Sequence, residues 1–388
     1  MHGRTSMTVA VTALVAMAIA GNRAEACMVC IPLPETTLAD ALVDADAVVL
    51  ARENPDKPYS FIAVDVLKGE ISDPAIDVFL NSQTRRRLGM EPDRAVVLIL
   101  GRTEARPGST RSSEPSIQDE VASSSWRSAG YATVAYESIV REILANAPRW
   151  RGQPGARRRA LFFMPYLAHE ERPIQELAYL EVGMSSYDTI RMADSYVSAD
   201  QIQAFLGDRL YFEWRALFIL LLGFDATPPE QAAIRAQMET NARLNSTANL
   251  SAWAAALIEV DGEQGLEWLE ANYLGNAGRD PGAVTEVLKA MSVHGNRELP
   301  LLRPRIVEGY GVLIGAHPSL AGWTARDLTA WRSWRFAGEL EDLRQSQVSL
   351  DRASEYAIDS YLRRARSRGS NSPPPSQARK ASTGGINE

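Results

Sequence analysis

Cysteine is almost missing from this chain. Cys27 and Cys30 are the only two among 388 residues, so no network of disulfides holds the fold, and a packed core must do so. Lysine is nearly as scarce: Lys57, Lys68, Lys289 and Lys380 stand alone, and arginine supplies the other 37 of 41 cations. Histidine occurs four times, at His2, His169, His294 and His317. The last three are far apart, and His169-Glu170-Glu171 lacks the second histidine, one helical turn on, that a zinc-protease helix needs. No G-x-S-x-G or S-x-x-K is present. Gly309 to Gly315 has the wrong spacing for a phosphate loop and no following Lys-Ser/Thr; small residues letting helices approach explain it better. Outside the first residues the densest apolar run, Ala216–Gly223, is eight residues, far short of the ~20 that span a bilayer. A net charge of −7 argues against a general nucleic-acid binder. Nothing here points to a catalytic set, a metal or a cofactor.

The first 26 residues read as an export signal. His2 and Arg4 precede the twelve-residue apolar run Val9–Ala20, and Ala24-Glu25-Ala26 offers a small-x-small cleavage site before Cys27. The expectation is an exported protein of a bacterial periplasm or envelope. Lipid anchoring at Cys27 is the less favoured variant, because Ala24 and Glu25 fit a lipoprotein signal poorly.

Residues 27–102 read as a small β module. Thr37 caps a short helix with Leu38, Ala41, Leu42 and Ala45 on its apolar face. Strands are predicted at 45–51, at 60–68 (rich in β-branched residues), at 75–80 with Ile76, Val78 and Leu80 alternating, and at 94–100. Residues 103–132 read as a flexible, serine-rich linker with a last strand at Trp126–Tyr131. From 133 to 345 the period becomes helical, with helices predicted at 157–168, 173–183, 199–206, 211–222, 229–243, 248–259, 262–273, 281–293, 300–315 and 324–332. A further stretch at 335–365 carries a break, and 346–366 is its C-terminal helix. Residues 367–388 cannot build a core. From Arg363 onward six cations face only Glu388, a basic tail able to touch an anionic surface weakly. The fold class expected is therefore α+β and multidomain: a small barrel or sandwich, then an all-α solenoid or helical array.

Of the candidate groups, Cys27 and Cys30 are the reactive-looking pair. In an oxidising compartment they read as a structural disulfide, a redox-active or metal-handling pair, or an unpaired or lipidated Cys27. His294 and His317 fall at helix ends, where the dipole favours them without a metal. The tryptophans read as helix packing, with Trp331 and Trp334 sharing one helix face.

The N-terminal pattern resembles the TIMP/netrin-like module. It comprises Cys27-Met28-Val29-Cys30, Thr37, Ala41-Leu42, Asp44-Ala45-Asp46-Ala47-Val48-Val49 and Val64-Asp65-Val66-Leu67-Lys68-Gly69. The resemblance implies an OB-type barrel. It also implies that the amine and carbonyl of Cys27 could chelate a protease metal, although this chain has no third cysteine to pin that terminus. The segments Arg159–His169, Trp214–Gly223 and Asp327–Trp334 resemble HEAT-like repeat regions of bacterial exported proteins. The function expected is a non-catalytic scaffold with a protein partner. The alternatives are an envelope thiol–disulfide protein using Cys27 and Cys30, or a TIMP-like metalloprotease inhibitor.

Overall fold

The structure is a computed structural model that describes residues 36–102, 124–150 and 152–369. The chain divides into two compact units, Met1–Asp225 and Ala226–Glu388. The architecture is α+β, with one five-stranded antiparallel sheet and sixteen α-helices among the described residues.

The first unit opens with α1 (Leu38–Asp44). Thr37 Oγ1 accepts from the Asp40 amide and Asp40 returns a carboxylate oxygen to the Thr37 amide, a complete capping box. Strands β1 (Ala47–Glu53), β2 (Ser60–Lys68) and β3 (Ala75–Asp77) follow, then α2 (Ser82–Met90), β4 (Val96–Arg102) and β5 (Ser124–Tyr131). The sheet order is β3-β2-β1-β4-β5. Its ends, β3 and β5, do not pair with each other among the described residues, so the sheet is open where a closed barrel was one expectation.

Both faces of the central strands are buried, which is why β1 and β4 read as continuous apolar runs. Val49, Ala51, Phe61, Ile76, Val78, Leu88, Val96 and Leu98 form the core on one side. Val48, Leu50, Val97 and Ile99 are buried on the other. Gly69 ends β2 with φ +72°, and a Cβ there would lie 2.0 Å from the Asp46 carbonyl oxygen. Only glycine fits that turn. Helix α2 was not expected from the sequence. Asn81 caps it, but only Thr84 and Leu88 of its nine residues are buried, too few for a visible apolar period.

Six helices complete this unit: α3 (Val134–Asn146), α4 (Gly152–Phe163), α5 (Arg172–Gly183), α6 (Tyr187–Ile190), α7 (Ala199–Gly207) and α8 (Arg215–Phe224). Tyr136 on α3 donates its hydroxyl to the Ala129 carbonyl on β5 at 2.6 Å. The helix predicted at 211–222 is instead a 3-10 turn, Arg209–Trp214, leading into α8.

The described residues of the second unit form helices and their connections: α9 (Pro228–Leu244), α10 (Leu250–Asp261), α11 (Glu263–Leu269, continued as a π-turn to Leu274), α12 (Pro281–Gly295), α13 (Arg303–Ala316), α14 (Ala321–Ala330), α15 (Ala337–Gln345) and α16 (Arg352–Gly369). Gly311 lets α13 meet Phe336, whose ring would lie 2.7 Å from an added Cβ. Trp331 and Trp334 do not share a helix face. Helix α14 stops at Ala330, and Arg332 turns the chain with φ +56°.

Candidate functional site

The first unit carries a cleft of about 740 Å³ between the end of α1, the end of β2 and the C-terminal half of α3. Lys68, Arg141, Arg159 and Trp150 line it. Helix α1 ends on Ala45 in an extended conformation, without a left-handed glycine to turn back on its last carbonyls. Lys68 takes that role. Its ammonium donates to the carbonyls of Val43 (2.5 Å) and Leu42 (3.5 Å), placing a cation at the negative end of the helix. Arg141 bridges Glu137, one turn back, and Asp65 on β2 at 2.8 and 2.6 Å.

Arg159 is the most constrained group of the cleft. It forks onto Glu181 of α5 (Nε–Oε2 2.5 Å, Nη2–Oε1 2.7 Å). It also donates to Asp40 at 2.6 Å and to Thr37 Oγ1 at 3.0 Å. Its guanidinium carbon lies 5.6 Å from the centre of the Trp150 ring. One cation thus ties α4 and α5 to the cap of α1, more than a hundred residues away in sequence. Burial pushes the Glu181 carboxyl above the ordinary carboxylate range, with Arg159 opposing the rise. Burial acts on Asp40 in the same direction but loses, because the Thr37 amide and Arg159 together hold it below its ordinary value of 3.8. For Arg159 burial favours the neutral form, and the bonds to Glu181 and Asp40 overcome it and raise the pKa. Two carboxylates held by one guanidinium form a strut that fixes position; the cations of this cleft are tied to carboxylates or to helix carbonyls.

Cys27 and Cys30 lie outside the described residues, as do the leader at 1–26, residues 103–123 of the linker and 370–388 of the tail. His169 accepts the Glu171 amide through Nδ1 at 3.0 Å. His294 and His317 are buried, and each sets Nε2 3.2 Å from a backbone carbonyl, of Ala255 and Tyr273 respectively. A carbonyl only accepts, so Nε2 carries the proton in both. Among the described residues no three His, Cys, Asp or Glu groups converge as a metal set. No helix among them is long and apolar enough to cross a membrane.

The tryptophans pack against neighbours. Trp214 stacks on Tyr179 at 4.9 Å and Trp331 on Tyr310 at 5.6 Å, while Trp334 lies 5.2 Å from Tyr361. Sequence reasoning missed the Arg159–Glu181–Asp40 junction. One signal was available: Ile174, Leu177, Ala178 and Glu181 fall on one stripe of α5, an acid where an apolar residue belongs. No family model matches the chain, and neither a curated protein nor a solved structure is matched by it.

Proposed function

We propose that the chain is an exported, non-catalytic interaction protein, in which a TIMP/netrin-like module of OB type precedes a HEAT-like helical array that engages a protein partner. The observation that carries this reading is a skip in the packing of the second unit. Helix α10 packs on α12, α11 on α13, α12 on α14 and α14 on α16, in addition to contacts between most successive helices. Layered helix pairs that contact their neighbours in this way are how a solenoid buries both faces of every helix. The two buried histidines repeat the motif. His294 reaches back 39 residues to the Ala255 carbonyl and His317 reaches back 44 to that of Tyr273, close to the ~40–47-residue period of HEAT-type repeats.

The ion pairs of the first unit favour the same function, since Arg159 and Arg141 link secondary elements to one another. A three-strand meander with β4 and β5 added on the far edge of β1 supports the OB-type module, which takes the form of a partly open five-stranded barrel. The test is to cross-link and isolate the whole chain from its native cell. A protein partner in fixed ratio is the expected result. Turnover of a substrate by the purified chain, abolished by one point substitution, overturns the reading.

A further inference from the structure

The turn that joins α7 to α8 presents an unusual surface. In the 3-10 segment Arg209–Trp214, Leu210 and Phe212 are 67% and 60% exposed. Two large apolar side chains, two residues apart, stand in water on a backbone that is firmly held. Asp208 caps the turn through the Leu210 amide at 2.9 Å, and Arg172 donates to the Leu210 carbonyl at 2.7 Å. The Arg172 guanidinium also lies over the rings of Trp214 (4.4 Å) and Tyr211 (5.2 Å), and Trp214 stacks on Tyr179. The prongs are therefore pre-ordered, and an order already present is not lost again on binding.

The charges around them are equally specific. Arg172, Arg209 and Arg215 form no ion pair with a carboxylate among the described residues, and Arg215 lies 5.2 Å over the Phe212 ring. Acids close to them in the chain include Asp208, whose carboxylate holds the Leu210 amide, Glu171, which accepts from Thr133 Oγ1, Glu170, Glu176 one helical turn beyond Arg172, and Glu213 on the turn itself. We infer that this turn is a membrane-surface anchor: Leu210 and Phe212 enter the headgroup boundary of an anionic phospholipid layer while Arg172, Arg209 and Arg215 meet its phosphates. Exposed apolar side chains ringed by arginines and aromatics are the composition that partitions to such a boundary. Arginine suits phosphate because it donates in a fork and holds its charge at every physiological pH. The anchor is independent of the basic tail beyond Arg363 and of the proposed partner-binding array.

Co-sedimentation of the whole chain with lipid vesicles tests it. Binding to vesicles of phosphatidylcholine mixed with phosphatidylglycerol is expected, with much weaker binding to phosphatidylcholine alone. The double substitution Leu210→Ala/Phe212→Ala should weaken binding by about tenfold or more while leaving the thermal transition unchanged. Phe212→Glu, a single exposed change, should do the same. Equal binding by these variants would assign the lipid contact to the tail and overturn the anchor. So would equal binding to both kinds of vesicle, or none to either. A concentration-dependent dimer in analytical ultracentrifugation that disappears in the double variant would make the turn a self-association surface and overturn it equally.

Discussion

Arg159 engages both Nη groups and its Nε at once, and the groups it serves are not interchangeable. Glu181 is buried and Asp40 half-buried, so removing the guanidinium strands a carboxylate in the interior. Arg159→Ala should cost about 3–5 kcal/mol in the unfolding transition of the first unit, followed by urea denaturation. Arg159→Lys should recover little, because an ammonium cannot fork onto Glu181. The two acids respond to pH in opposite senses. Asp40 has a folded pKa below its unfolded value of 3.8, so the stability it adds is present above that value and disappears as the pH falls through the folded one. Glu181 has a raised folded pKa, so its contribution is present at low pH and is lost as the pH rises through that value. Asp40→Asn should therefore be less stable than the parent at neutral pH, with the difference closing below pH 3.8. Urea midpoints measured across that range give the answer, and a gap that widens in acid contradicts the assignment. This junction was hard to read from sequence because its partners are brought together only by the tertiary fold. Glu181 on the apolar stripe of α5 was its one local sign.

At the scale of elements, local chemistry carried most of the information. Thr37 announced the start of α1, and the β-branched run at 60–68 coincides with β2 residue for residue. Proline and glycine punctuation placed most helices within a few residues. What escaped had a physical reason. Helix α2 buries one short stripe, and the end of α14 depends on a left-handed arginine that nothing in the sequence signals. The edge strand β5, expected at Trp126–Tyr131, starts two residues earlier because Ser124 and Ser125 carry no apolar signal and are defined by their pairing with Arg102 and Gly101 of β4. Gly69→Ala should lower stability by more than ~1 kcal/mol, since strain at positive φ adds to the clash with the Asp46 carbonyl. An unchanged thermal midpoint would contradict the tightness of that turn. His317→Ala should cost about 1–3 kcal/mol by leaving the Tyr273 carbonyl without its partner. His317→Gln, which retains a donor, should cost less; equal losses would deny the bond.

At the scale of the whole molecule, the proposed function makes the helices stacked two apart a surface for another protein. Lysine is so rare that amine-directed cross-linkers find few attachment points, which favours photo-cross-linking residues inserted one at a time. The decisive measurement is such a scan in the native cell, at exposed positions across the second unit such as Glu239, Glu267, Glu308 and Glu339. The account predicts adducts to one protein, clustered at neighbouring positions and absent elsewhere. No adduct at any position of the unit would contradict it.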